Sequence, residues 1–236
     1  MREEAPVKSF ARVILSLRRR ILRVLILLCL TSLGFLMVAP RILLYLQKRL
    51  GQNLAFYGVA EPWLAVIKVA AISAIIFVFP YILWLLWKAL SGAFGLSRKL
   101  GLLFILVGMF LFYGGLAFCF FVTLPYGMKF LLSFQRDEIV PTISVGHFVN
   151  FVGLFLLAFG LIFELPLFMI LAARIGLLDP YKAGKYRRHA ILVIAILAAV
   201  LTPTPDVFNM ALMAGPLYLL FELGLLGGKL VVKKNA

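Results

Sequence analysis

A single carboxylate, Glu164, lies inside an otherwise apolar run from 148 to 173. The run is long enough to cross a bilayer, which takes about 20 helical residues. An ionisable side chain at that depth costs roughly 2.5 to 3.5 kcal/mol, so it is first read as part of a functional site. The alternative is a protonated glutamic acid that hydrogen-bonds to a neighbouring helix.

A second acid, Glu222, lies in the last apolar run of the chain. When the midpoint of each run is placed at the bilayer centre, Glu164 and Glu222 both lie about 6 to 8 Å towards the same side. Lys68 lies roughly 10 Å towards the other side, which disfavours an ion pair with Glu164. We therefore expect Glu164 to face a watery groove or a polar partner, and we hypothesise that it shares a proton with Glu222.

The composition requires that these acids sit in a membrane protein. Of the 236 residues, 64% are hydrophobic, which exceeds what one soluble core could bury. The formal charge is +15, but the basic residues flank apolar runs, where they set orientation and meet anionic headgroups. The sequence thus predicts contacts with membrane lipids and not with nucleic acid.

Motifs for catalysis or metal binding do not occur in the sequence. Cys29 and Cys119 lie in separate apolar runs, and His147 and His189 are far apart, so neither a disulfide framework nor a metal site is expected. The stretch from 224 to 229, Gly-Leu-Leu-Gly-Gly-Lys, lacks the spacing of a phosphate-binding loop. We predict a protein that is not an enzyme and needs no cofactor.

Six apolar segments predict an all-α, polytopic fold forming a single integral-membrane domain over 1–236. A basic arm, 1–20, precedes the first segment, and no small-x-small cleavage site follows before Pro40, which favours an uncleaved span. Lys and Arg gather at one set of segment ends, which places both termini in the cytoplasm. The predicted spans are 21–39, 63–87, 100–124, 148–173, 190–201 and 207–228.

Several residues are expected to shape these helices. Pro62 fits the first turn of the second span, where its missing N–H does no harm, and Pro125 must end or kink a run from 100 to 132. Ser144 and Asp206 are candidate N-caps for the fourth and last spans. An interfacial helix is expected at 41–46, and the fifth segment is only about 18 Å long.

Five motifs in register resemble the TatC family, the membrane receptor subunit of the twin-arginine protein translocase. Glu61-Pro62-Trp63 resembles the start of its second span, and 112–118 with Leu124-Pro125 resembles its third. The stretch 158–166, which ends in Phe163-Glu164-Leu165-Pro166, is similar to its fourth-span signature. The fourth and fifth matches are 201–208 and 216–222.

The resemblance implies a six-span subunit of the bacterial cytoplasmic (inner) membrane with both ends cytoplasmic and short fifth and sixth spans. Such a subunit recognises the arginine-pair signal peptides of folded precursors, associates with other TatC copies and recruits single-span TatA- and TatB-like partners. Export is driven by the proton-motive force. Glu164 then faces a groove that organises partner or signal contacts, with structural roles for Glu61, Pro62, Pro125, Pro166 and Asp206.

The chain departs from the family pattern at two acids. Arg18 and Arg20 align with the family's N-terminal arginines, but Ser16 and Ser97 stand where the family has the carboxylates thought to grip the signal's arginine pair. A serine cannot offer the bidentate, charge-assisted acceptor that a guanidinium prefers. One alternative is therefore a structural paralogue without arginine-pair recognition. A second alternative is a small secondary transporter or proton channel that uses Glu164 and Glu222 as a relay.

Overall fold

The computed structural model describes residues 21–51, 54–133, 143–201 and 207–235. Ser16, Arg18, Arg20 and Asp206 lie outside these ranges, so their expected roles remain predictions. The chain forms two compact units: Met1–Met109 with Thr142–Leu157, and Phe110–Pro141 with Ala158–Ala236.

The first unit begins with a bent pair of helices. Helix α1 (Ile21–Leu36) is followed by α2 (Ala39–Leu50) at an angle of 70°. Pro40 lies in the first turn of α2, where proline is tolerated, and α2 ends at Gly51 with φ 63°, a left-handed conformation that suits glycine. The helix expected after the first span is therefore present and longer than predicted.

Helix α3 (Glu61–Phe94) is 34 residues long, and Pro62 lies in its first turn as predicted. The short strand β1 (Leu54–Ala55) precedes α3 and pairs in parallel with β2 (Ile143–Ser144), a pairing that the all-α prediction did not include. Side by side, the two loops satisfy some of each other's backbone groups.

The third predicted span remains helical past its proline. Helix α4 (Arg98–Phe118) leads through a π-helical turn, Cys119–Thr123, into α5 (Leu124–Ser133). The N–H of Leu124 donates to the carbonyl of Cys119, five residues back. The wider turn directly precedes Pro125, which lacks an N–H and whose ring crowds the preceding turn of an α-helix. The prediction that Pro125 ends or kinks the run is thus replaced by a local change of helix type.

The rest of the chain is helical. Helix α6 (Val145–Phe163) is followed by α7 (Leu165–Arg174), α8 (Pro180–Lys185), α9 (Arg187–Leu201) and α10 (Val207–Asn235). Helix α9 has 15 residues and is short, as predicted for the fifth span. Helix α10 has 29 residues, and its part that is apolar and long enough to cross a bilayer is Met213–Val232.

Within the described ranges, four helical stretches are long and apolar enough to cross a bilayer, or five if the bent pair α1–α2 counts as one span. Large apolar side chains are exposed along them, including Phe110 at 79% and Leu230 at 71%. Because a bilayer solvates such side chains, this surface fits a polytopic membrane protein.

Candidate functional site

Glu164 occupies a break between two helices. Helix α6 ends at Phe163, α7 begins at Leu165, and Glu164 is the turn residue between them. Its N–H donates to the carbonyl of Leu161 at 3.1 Å, and its carbonyl accepts from the N–H of Phe168 at 3.1 Å. Pro166 explains the break, because it cannot donate to the carbonyl four residues back and its ring crowds that position.

Close packing of α6 against the end of α4 fixes the position of this break. A Cβ added to Gly115 would lie 2.7 Å from the carbonyl oxygen of Phe159 and 2.8 Å from Cγ of Phe163, so only glycine allows the approach. The ring of Phe118 lies 5.9 Å from that of Phe159 and 5.7 Å from that of Phe163, measured between centroids. These three packed rings therefore surround the end of α6, directly before Glu164 in the chain.

The side chain of Glu164 is fully buried, with 0% of its surface exposed. Among the described residues, neither of its carboxylate oxygens has a hydrogen-bond partner. The structure thus shows Glu164 neither exposed to a groove, as expected, nor hydrogen-bonded to a neighbouring helix among the described residues, as in the alternative. A buried acceptor without a partner costs about 1 to 3 kcal/mol, and more if it is charged, so this carboxylate is a destabilising element of the fold.

Glu222 has a different environment. Nε of Arg187 lies 2.7 Å from Oε1 of Glu222, a second guanidinium nitrogen donates to Oε2 at 2.8 Å, and the hydroxyl of Tyr218 donates to Oε1 at 2.9 Å. The bond with Glu222 raises the pKa of Arg187 above its usual value. The hypothesis of a proton shared with Glu164 is wrong in this arrangement, because Glu222 pairs with a guanidinium and Glu164 has no hydrogen bond to it.

A seam of small residues joins α7 to α10. A Cβ on Gly224 would lie 2.7 Å from Sδ of Met169 and 3.1 Å from Cα of Pro166. On Gly228 it would lie 3.3 Å from Cβ of Ala173. The residues that we compared with a phosphate-binding loop therefore form a helix-packing face, and the four-residue spacing of these two glycines is the signal that predicts it.

Residues 12–216 match the family model described as "Sec-independent protein translocase protein (TatC)". The chain belongs to the TatC family. A TatC-family protein is a component of a protein translocase and not an enzyme, and this excludes the transporter or proton-channel alternative.

Relatives support the family assignment over most of the chain. The Sec-independent protein translocase protein TatC of Carboxydothermus hydrogenoformans is 37% identical over 195 residues, which is 82% of this chain and 80% of that protein. The TatC of Campylobacter jejuni is 38% identical over 170 residues, 71% and 69% of the two chains. A crystal structure of the twin arginine translocase receptor TatC superposes with a TM-score of 0.79 at 27% identity, covering 93% of this chain and 99% of that one.

Of the other residues expected at the site of this TatC-family chain, the structure describes Ser97 in addition to Glu222. Ser97 is exposed in the loop before α4, and its carbonyl accepts from the N–H of Leu100 at 3.1 Å. Ser16, Arg18 and Arg20 fall outside the described residues. Among those described, no group of three or more His, Cys, Asp or Glu side chains could hold a metal ion.

The TatC-family motif residue Glu61 forms a clasp within the first unit. Its carboxylate accepts from the N–H of Tyr57 at 2.8 Å, from the N–H of Gly146 at 2.9 Å and from the hydroxyl of Ser144. Ser144 Oγ also accepts from the N–H of His147 at 3.4 Å, the capping contact predicted for it. Glu61 thus ties the loop before α3 to the start of α6.

Proposed function

We propose that this chain is the TatC-type subunit of a twin-arginine translocase in the bacterial cytoplasmic membrane, with both termini in the cytoplasm. It binds the signal peptides of folded precursors and works with single-span TatA- and TatB-like subunits and with other copies of itself. Transport is driven by the proton-motive force. Family membership and the distribution of basic residues support this proposal.

One observation carries the proposal beyond the family: the buried carboxylate of Glu164, which has no hydrogen-bond partner among the described residues. A buried carboxylate that lowers the stability of the fold is retained where it serves a function. A donor on a signal peptide or on a partner's single span would complete the hydrogen bonding of Glu164, and because the side chain is fully buried, such a contact requires the helices around it to open. We therefore assign Glu164 to contacts with another chain in the assembled translocase.

Recognition of the signal's arginine pair needs other groups than the family acids. Ser97 is exposed and uncharged, and Ser16 is likewise a serine. Neither side chain can neutralise a guanidinium, so recognition at these positions is weaker than at a carboxylate. This observation favours a second version of the function, in which the chain is a structural paralogue that assembles with the translocase without reading the arginine pair.

The experiment is co-purification of the full chain with a precursor that carries an arginine-pair signal peptide, from membranes that contain its single-span partners. Glu164→Gln and Glu164→Met are compared with the wild-type chain. Each variant loses a charge-assisted hydrogen bond, so we expect about ten- to a hundredfold weaker retention of precursor or partner. The thermal stability of the isolated Glu164→Met chain should stay equal or rise, because methionine removes an unsatisfied buried acceptor.

The opposite pattern would count against the assignment. If Glu164→Met lowers stability while the retained precursor is unchanged per folded chain, Glu164 has a structural role. A precursor with two lysines in place of the arginine pair separates the two versions: a receptor discriminates against it, whereas a structural paralogue does not. Ser97→Glu combined with Ser16→Glu should increase discrimination if a decayed arginine site is present.

A further inference from the structure

The second unit carries an amphipathic groove to which the proposed function assigns no role. It has a volume of about 730 Å³ and lies between the segment that follows α7 and the outer face of α9. Its polar end is formed by Asp179, Lys182, Tyr186 and His189, and its apolar walls include Leu165, Leu178, Val193, Ile194, Leu197 and Phe221.

The polar end of the groove favours an anion. Asp179 is its acid, but Oδ1 of Asp179 accepts from the N–H groups of Tyr181 at 2.9 Å and Lys182 at 3.2 Å as the N-cap of α8. Nζ of Lys182 lies 4.0 Å from Oδ2 of Asp179 on a side chain that is 80% exposed, so Lys182 can turn to another anion. His189 supplies a ring N–H donor in either neutral tautomer or when protonated.

The apolar end of the groove runs along α9 towards the middle of the membrane. From His189 to Leu197 the helix rises about 12 Å, which is more than half the length of α9. Val193 and Leu197 line this stretch and remain 53% and 39% exposed. A surface with the Lys182 ammonium and other hydrogen-bond donors at one end and an apolar body matches the shape and chemistry of a phospholipid, whose phosphate and acyl chain are covalently joined.

The length of α9 gives a reason for a bound lipid. Its 15 residues span about 22 Å, short of the roughly 30 Å of hydrocarbon, so the bilayer beside it must thin or be filled locally. A lipid held by its headgroup at the basic end of α9 would cover the exposed apolar side chains at this mismatch.

We propose that this groove binds one anionic phospholipid of the surrounding bilayer. Its phosphate lies at Lys182 and His189, and an acyl chain packs along Val193, Ile194 and Leu197. A free phosphate would leave the apolar walls uncovered, and a zwitterionic lipid would bring a cationic group to Lys182.

Native mass spectrometry of the full chain in neutral detergent tests the proposal, with phosphatidylglycerol and phosphatidylcholine as probes. We expect one tightly bound phosphatidylglycerol and weaker phosphatidylcholine. Lys182→Gln should weaken phosphatidylglycerol binding about fivefold, the effect of one basic residue near an anionic headgroup. Lys185→Gln is the matched control, because Lys185 lies on the same helix but does not line the groove, and it should change binding less.

A second pair of variants tests the acyl-chain part. Ala190→Trp fills the groove and should remove the tightly bound lipid, whereas Ile191→Trp places the same side chain at a neighbouring exposed position outside the groove and should not. Equal effects of Lys182→Gln and Lys185→Gln would overturn the site, as they would show only a diffuse basic surface. Binding of glycerophosphate as tight as that of the lipid would also overturn it. So would a single-span partner crosslinked at Val193 with lipid binding unchanged by Ala190→Trp.

Discussion

Gly115→Ala should destabilise the chain although it places a better helix former in a helix. The added Cβ would lie 2.7 Å from the carbonyl oxygen of Phe159, and a backbone atom cannot move aside as a flexible side chain does. Such overpacking costs about 1 to 3 kcal/mol. The gain in helix propensity from glycine to alanine is about 1 kcal/mol, so the net loss for Gly115→Ala is about 0 to 2 kcal/mol.

Gly114→Ala isolates the packing effect. Gly114 precedes Gly115 in the same helix, and an added Cβ there meets nothing within 4 Å, so this variant keeps the propensity gain and lacks the clash. The difference between the two variants is therefore the overpacking cost alone. At about 2 to 4 °C per kcal/mol for a chain of this size, their melting temperatures should differ by about 2 to 12 °C.

Thermal unfolding of the detergent-solubilised chain, followed by size-exclusion chromatography of heated samples, measures this difference. Retention of the precursor should fall with Gly115→Ala as well, because Glu164 comes directly after the packed residue Phe163 in the chain and would shift with it. Equal melting temperatures for the two variants would refute the conclusion that glycine is needed for the approach of α4 to α6.

Two further predictions concern the ion pair and the clasp. Arg187→Ala and Glu222→Gln should each lower the melting temperature, and the double variant should lower it by less than the sum of the two, because both substitutions remove the same ion pair. Arg188→Ala leaves that ion pair intact and should change the melting temperature little. Additive losses in the double variant would refute the pairing. Glu61→Gln should increase amide hydrogen exchange in the loop before α3 and at the start of α6, with a smaller increase for Ser144→Ala; unchanged exchange would show that the clasp is not needed to order these loops.

The features that the sequence predicted correctly depend on one-dimensional patterns. Apolar runs longer than a bilayer crossing predicted α3, α4 and α6, since length and composition decide whether a helix can span. Pro62 and Ser144 were placed correctly because helix starts follow local rules about missing donors and caps. Glu164 could be singled out because a carboxylate in an apolar run is costly in any fold, but its functional role stays a prediction.

The features that sequence reasoning missed depend on which helix faces meet. Placing the midpoint of each apolar run at the bilayer centre put Glu164 and Glu222 at the same depth. That calculation could not give the direction in which each side chain points around its helix. Arg187 was counted as an orientation signal, whereas its long side chain reaches Glu222. The four-residue spacing of Gly224 and Gly228 indicates a packing face, but the helix that packs against it, α7, could not be read from the sequence.

The π-helical turn at Cys119–Thr123 changes the phase of the long helix that contains it. A turn with one residue more than an α-helical turn rotates everything beyond it by about 100° relative to an uninterrupted α-helix. Cys119, Thr123 and Leu124, all nearly fully buried, are thereby brought to the inward side together. Removing one residue inside this turn would restore ordinary α-helical spacing and leave the side chains of α5 facing the same way. The same deletion elsewhere in α4 would rotate the apolar face of the helix away from its packing partners. The long helix can thus lose one residue at this turn without rotating α5, which a continuous α-helix cannot do.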